Sequence, residues 1–223
     1  MVRRFLAFLV RGPTLLMSSA SSTIIQDIEA MCDAGQASMG YFYFDFRDTS
    51  KQYGRDLVTS LLYQLSVGSS PRCDILSRLH AAHDNGGRQP NDQALTNCLK
   101  EMLILSDQRP AYLIVDALNE SADTSGIPSP REHVVRVVKD LVELCLPDLH
   151  ICVTSRPNPD IEDVFAPLIP LRVSLHNEIG QREDIMDYVR SVVYSDSERI
   201  MRRWRKEEKA LVVEILSKGA DGM

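Results

Sequence analysis

The stretch that most constrains the fold is the apolar run Tyr112–Val115, which ends at Asp116. Four consecutive apolar residues, two of them β-branched, are typical of a strand that is buried on both faces of a parallel sheet. Ligands of open α/β sheets bind beyond the carboxyl ends of the strands, so a carboxylate at that edge can meet an ion or a phosphate. A solvated acidic loop after a core strand is the plainer interpretation of this run taken alone.

A second β-rich run, His150–Ser155, also ends in polar residues, and Arg156 follows it before a proline. The segment between the two runs is predicted to be helical. If the two strands are parallel neighbours joined by a right-handed crossover, Asp116 and Arg156 lie at the same edge of the sheet. A carboxylate that directs magnesium beside a guanidinium that binds phosphate is the pair that a nucleoside triphosphate requires.

Together the two runs, LIVDALNES and ICVTSRPNPDIE, resemble the Walker B and sensor 1 strands of NACHT domains. These domains are signal-transducing P-loop NTPases of the STAND class, abundant in filamentous fungi and related to the nephrocystin-like NTPase module. Further similarity lies, in the family's order, in SSTIIQDIE, GYFYFDFRD, DLVTSLLYQL and DIMDYV. The resemblance implies an α/β fold, with a parallel sheet in a three-layer α/β/α core of the P-loop NTPase type and a C-terminal helical segment.

The resemblance also implies roles for three residues in binding Mg-ATP or Mg-GTP. Asp116 would direct magnesium through water, Glu120 would be the acidic partner near the attacking water, and Arg156 would contact the terminal phosphate. Asn119 departs from the family pattern, because this position is usually acidic and an amide cannot act as a base. We therefore expect the chain as given to be inactive as an NTPase.

The family's phosphate-binding loop, GxxxxGKS/T, is not intact in this sequence. Such a loop needs glycines, so that backbone amides can surround the phosphates, and a lysine at the mouth of the next helix. Aligned on SSTII, the motif falls on residues 11–18, where only Pro13 and Ser18 keep the pattern and Met17 replaces the lysine. Ser18 is then the hydroxyl that would face magnesium, and no convincing strand precedes the motif. Either nucleotide binding has been lost or the N-terminus given is not the true one.

The N-terminal residues 1–26 contain three arginines and no acidic residue, which is also typical of a mitochondrial presequence. The apolar run Phe5–Val10 is far shorter than the roughly 20 residues of a membrane span. We predict a cytoplasmic protein that makes no membrane contact, with a mitochondrial location as the alternative. The predicted division is a degenerate or misannotated N-terminal segment over 1–17, an NTPase-like core over 18–195, and a charged helical tail over 196–223 that leads towards a further C-terminal region.

Charge and cysteine usage restrict the classes of partner. The 31 acidic and 25 basic residues give a net charge of −6, which argues against a general nucleic-acid binder. The five cysteines show neither CxxC pairs nor a compact framework, so neither a zinc site nor a disulfide scaffold is indicated. His80 and His83 have the spacing of a metal-binding pair but lack a third ligand nearby.

Apolar periodicity predicts the remaining elements. Helices are expected over 18–34, 56–65, 73–83, 93–105, 134–144, 161–165, 181–193 and 198–218, and strands over 40–46 and 171–175. The helix over 134–144 is rich in valine, and we expect it to be incompletely covered and to favour self-association or binding to other protein domains. Two hypotheses follow: a nucleotide-dependent switch module whose phosphate-binding loop has been lost, or a non-catalytic interaction domain with the same sheet.

Overall fold

The computed structural model describes residues 6–11, 14–105, 109–124, 129–169, 171–174, 189–194 and 204–219. The chain divides into two compact units, Met1–Val173 and Ser174–Met223. The first unit contains the sheet. In the second, the structure describes residues 189–194 and one long helix near the C-terminus. Most of the helix predicted over 181–193 therefore lies outside the described residues.

The first unit is built on a five-stranded sheet with the order β2-β3-β4-β1-β5. Its strands are β1 (Leu6–Arg11), β2 (Ser38–Tyr43), β3 (Ala111–Asp116), β4 (Leu149–Ser155) and β5 (Leu171–Ser174). The pairs β2 with β3, β3 with β4, and β4 with β1 are all parallel. The predicted parallel α/β sheet is confirmed, and β5 lies at its edge as expected.

Strand β1 corrects the expectation that no convincing strand lies ahead of residue 11. Leu6 pairs with His150 and Arg11 pairs with Ser155, so β1 lies between β4 and β5 inside the sheet. Most of the apolar run that precedes the phosphate-binding motif supplies this strand. Its partner lies more than 100 residues away in the chain, so no local pattern marks the pairing.

The helices agree with the predicted ones in type and differ at their ends. They are α1 (Thr14–Asp33), α2 (Gly54–Ser66), α3 (Ser70–Ala82), α4 (Asp92–Ile104), α5 (Pro130–Glu143), α6 (Pro159–Phe165) and α7 (Lys206–Gly219). Helix α1 begins four residues earlier than expected. Helix α5 also begins four residues earlier, because Ser129 and Glu132 form a capping box there.

The helices lie on both faces of the sheet. Along the strand order, the connection from β1 to β2 runs towards the β2 edge, whereas the connections from β2 to β3, β3 to β4 and β4 to β5 run towards the β5 edge. Right-handed crossovers therefore place α1 on one face of the sheet and α2 to α6 on the other. Helix α1 contacts β2, β3 and β4. Alternate residues of β3 and β4 join the main core with α2, α4 and α5, among them Leu113, Val115, Ile151 and Val153. This arrangement confirms the three-layer architecture.

The expectation that the valine-rich helix is incompletely covered is wrong. Helix α5 contacts α2 on one side and α6 on the other. Its apolar residues are all buried in the main core: Val134, Val135, Val137, Val138, Leu141 and Val142. The sequence shows how apolar this face is, but only the packing of α2 and α6 shows that it is covered.

Three further observations concern membranes, metals and thiols. Among the described residues, no helix combines the length and apolar character needed to cross a membrane. The same residues contain no group of three or more histidine, cysteine or acidic side chains that could hold a metal ion. His83, one of the two histidines with metal-binding spacing, directly follows α3, and its Nδ1 atom lies 2.8 Å from the carbonyl oxygen of Leu79 in that helix. All five cysteines are free thiols.

Candidate functional site

Strand β3 ends at Asp116, whose side chain is only 3% exposed. The next residue, Ala117, adopts a left-handed conformation with φ 53° and ψ 45°, which costs an L-residue about 1 to 2 kcal/mol. It turns the chain into the short 3-10 helix Leu118–Glu120. The Ala117 amide donates a hydrogen bond of 2.9 Å to Thr154 Oγ1, which fixes this turn to the neighbouring strand.

The Asp116 carboxylate joins three elements. Its Oδ1 atom accepts a hydrogen bond of 2.5 Å from Ser21 Oγ in α1 and one of 2.6 Å from Thr154 Oγ1 in β4. Both hydroxyl residues are fully buried. A buried carboxylate requires such donors, because an ion removed from water without partners is strongly destabilised. The carboxylate is therefore held at the carboxyl edge of the sheet by the helix that follows β1.

The groups around the carboxylate stay neutral at physiological pH. Burial, together with the negative charge of Asp116, raises the pKa of the Cys152 thiol to about 11. Burial also raises the pKa of Tyr43, with a smaller contribution from Asp116 and an opposing hydrogen bond from Ser22.

Arg156 lies at the same edge as Asp116, as the parallel crossover predicts. Its backbone amide donates a hydrogen bond of 2.8 Å to Asn119 Oδ1. Its guanidinium is 55% exposed, with Nη2 4.0 Å from Glu120 Oε1. Asn119 departs from the family's acidic pattern, and in the structure its side chain ties the turn after β3 to the residue that follows β4.

Arg131 also holds this turn, and the sequence analysis did not identify it. Its Nη2 atom donates hydrogen bonds of 3.1 Å each to the carbonyl oxygens of Asn119 and Ser121. Its Nη1 atom lies 2.7 Å from Asp123 Oδ2. Arginine at the start of a helix is common on protein surfaces, so the sequence gives no signal for this contact.

Ser18, predicted to face magnesium, lies in α1, and its side chain is outside the described residues. The serine that contacts Asp116 is Ser21, one helical turn later. The proposed magnesium contact of Ser18 stays a prediction.

The residues aligned with the phosphate-binding loop differ from the intact motif in sequence, and only part of them lies in the described chain. Strand β1 ends at Arg11 and α1 begins at Thr14, so motif positions 14–18 are helical. Positions 14–17 are the first turn of α1, whose backbone amides have no partner within the helix, but the motif's glycines, which let a loop close around a phosphate, are absent here. Met17 supplies no charge in place of the lysine. The sequence at these positions therefore lacks both the lysine and the glycines that hold nucleotide phosphates in the intact motif.

A groove of about 710 Å³ adjoins the turn after β3. Neither Asp116 nor Arg156 lines it. Its charged lining residues are three cations and three acids, namely Arg131, Arg136, Lys139, Asp123, Glu132 and Asp160. The balanced charge favours no anionic or cationic ligand.

The sequence model of the nephrocystin 3 N-terminal family matches residues 13–156, which is more than half of the chain. The chain belongs to this family. The match includes the turn after β3 and both strand-end residues, Asp116 and Arg156. No curated protein matches the sequence significantly.

Solved structures similar to this chain include the ORC1 protein of Aeropyrum pernix in complex with DNA. Its identity is 9% and its TM-score 0.54, over 97% of this chain and 53% of that chain. Drosophila ORC bound to DNA is 12% identical with a TM-score of 0.52, over 98% of this chain and 50% of that chain. The chain thus spans about half the length of each. At such identities the likeness shows the fold alone, an α/β fold of the P-loop NTPase type.

Proposed function

We propose that this chain is the core of a NACHT-type switch protein of the STAND class that acts in signal transduction. In this proposal, Asp116 is the retained Walker B carboxylate, Arg156 is the retained sensor 1 residue, and the phosphate-binding loop is lost. Membership of the nephrocystin 3 N-terminal family and the P-loop NTPase-like fold support an NTPase-like module. The observation that best supports the assignment of Asp116 as the Walker B carboxylate is the pair of hydrogen bonds that it accepts from Ser21 and Thr154.

These hydrogen bonds support the proposal through their position in the sheet. The connections that leave the neighbouring strands β4 and β1 run towards opposite edges of the sheet. The crevice between two such strands is the switch point where open α/β sheets bind ligands. In P-loop proteins a hydroxyl at the start of the helix after the loop faces magnesium. Here a hydroxyl of that helix instead contacts the carboxylate directly. The retained groups match one half of a nucleotide site, and the phosphate-binding half is missing.

A non-catalytic interaction domain is the second candidate. The observation that favours it is that Met17 stands in place of the motif's lysine, so no side chain at this position can neutralise the terminal phosphates. In this case Asp116 has a structural role as the acceptor that joins α1 to the sheet. The partners would be other protein domains or further copies of the chain. DNA, which both similar structures contain, is not proposed as a partner because the net charge is −6.

A repaired phosphate-binding loop tests the proposal. The substitutions Arg11→Gly, Thr14→Gly, Leu16→Gly and Met17→Lys restore the glycines and the lysine, and β1 already supplies the strand that must precede them. Each glycine in the first turn of α1 disfavours helix by about 1 kcal/mol, so the loop can form. We expect the variant to gain magnesium-dependent binding of ATP or GTP in calorimetry.

Two further substitutions in the repaired protein identify the roles of the retained residues. Asp116→Ala should remove the magnesium dependence, and Arg156→Ala should weaken triphosphate binding more than diphosphate binding. A repaired protein that is folded by circular dichroism but binds no nucleotide, or binds it equally well without Asp116, would show that the Walker B assignment is wrong. The interaction-domain candidate would then be preferred.

A further inference from the structure

A second pocket lies within the first unit at the opposite edge of the sheet, where β2 and β3 begin. Its volume is about 400 Å³, within the range of roughly 300 to 1,000 Å³ typical of small-molecule sites. The first residues of β2, the end of α2 and the start of α3 line it. Among the described residues that line it, the charged ones are Arg72, which is 2% exposed, and Arg109. Both arginines also line a smaller neighbouring cavity, where Asp148 is the acidic residue.

Two buried hydroxyls in this pocket point to a polar ligand. Ser38 and Ser69 both line it, and within the described part of the chain neither Oγ atom has a hydrogen-bond partner. Ser69 is only 7% exposed. Buried hydroxyls almost always have partners, and leaving one without a partner is unfavourable. A ligand oxygen that reached Ser69 Oγ would give this hydroxyl the acceptor that it lacks.

The start of α3 adds backbone donors at the same place. Ser69 is its N-cap residue, but the Ser69 side chain accepts no capping hydrogen bond. The first intrahelical bond runs from the Cys73 amide to the Ser69 carbonyl, at 2.9 Å. The amides of Ser70 and Arg72 precede that bond, and the first turn contains no acidic residue. The partial positive charge of the helix N-terminus therefore faces the pocket without a carboxylate to offset it.

We propose that this pocket binds an oxyanion of the phosphate-ester class. Guanidinium groups, hydroxyls and helix N-terminal amides are the donors that bind phosphate oxygens. The volume leaves room for an organic group beside Tyr63 and Val67, which line the pocket and are exposed.

Titration calorimetry of the full chain with inorganic phosphate and with phenyl phosphate tests this site. We expect phenyl phosphate to bind more tightly than phosphate, and benzoate, a planar carboxylate of similar size, to bind more weakly. Arg109→Ala and Ser69→Ala should each lower the phenyl phosphate affinity by about tenfold, because each removes a donor to a charged group. Ser69→Ala should leave the melting temperature unchanged, since this side chain makes no capping bond.

Two control variants make the result decisive. Arg88→Ala removes the same charge from an exposed arginine outside the pocket and should leave binding unchanged. Arg156→Ala reports on the opposite edge of the sheet and should also have no effect. The proposal is overturned if the folded chain binds neither phosphate nor phenyl phosphate at millimolar concentrations. It is also overturned if Arg156→Ala or Arg88→Ala weakens binding as much as Arg109→Ala does.

Discussion

Ser21 Oγ donates a hydrogen bond of 2.5 Å to Asp116 Oδ1, although the two residues lie 95 positions apart in the chain. This bond joins the helix after β1 to the end of β3, the two elements that would hold the phosphates and the magnesium ion of a nucleotide. Because both groups are buried, the contact contributes to stability whether or not a nucleotide binds.

We expect the chain as given to bind no Mg-ATP detectable by calorimetry at sub-millimolar nucleotide. The absence of a lysine beside a phosphate forfeits roughly 4 kcal/mol at an effective dielectric constant near 20 and a distance of about 4 Å. This corresponds to about a thousandfold in affinity. A micromolar dissociation constant would contradict the view that the phosphate-binding loop is lost.

Ser21→Ala and Thr154→Val should each lower the free energy of unfolding by about 1.5 to 3 kcal/mol, because each removes a donor to a buried carboxylate. Urea denaturation measures the effect. Ser77→Ala, at an exposed position of α3, is the control and should change stability by less than about 0.5 kcal/mol. If Ser21→Ala is equally mild, the bond to Asp116 contributes little.

The thiols of Cys98 and Cys152 should resist alkylation in the folded protein. Burial is the main cause that raises the pKa of each to about 11, so at pH 8 only about one part in a thousand is thiolate. Mass spectrometry after treatment with iodoacetamide should find Cys73 and Cys145, both exposed, modified first. Denatured protein, in which all five cysteines react, is the control. Rapid modification of Cys152 in the folded protein would disprove its burial.

The same two thiols make stability depend on alkaline pH. Their pKa in the unfolded chain is near 9, and in the folded chain it is about 11. Between these values the unfolded state has lost the proton that the folded state retains, so the free energy of unfolding decreases as the pH rises from 9 towards 11. Urea denaturation at several pH values should show a smaller decrease for Cys98→Ala than for the unmodified chain.

We still expect self-association, although the valine-rich helix that first suggested it is buried. On α7, Leu211 and Ile215 lie four residues apart and are 55% and 58% exposed. Such a pair forms an apolar stripe on one helix face. Replacing both with glutamate should shift the chain towards monomer in analytical ultracentrifugation, while Lys206→Ala should not. A chain that is already monomeric at high concentration would contradict this expectation.

The sequence by itself determined most of the local elements. The runs that end at Asp116 and Ser155 have the apolar character of buried parallel strands, and the helices show their apolar periodicity, so these types were correct even where ends differed by several residues. Strand β1 is the exception, because its local pattern was not convincing. The placement of Asp116 and Arg156 at one edge of the sheet also follows from the sequence, because right-handed crossovers leave few alternatives for parallel strands.

The tertiary structure alone decided which residues meet at that edge. Strand β1 enters the sheet through pairing with a distant strand, and this placement brings α1, and with it Ser21, to Asp116. The Asn119 contact with the Arg156 amide spans 37 residues. Such contacts depend on how separate elements are packed together, and hydrogen-bonding partners far apart in the chain leave no periodic trace in the sequence. The local pattern thus specified most of the strands and helices, and long-range packing specified β1 and the site.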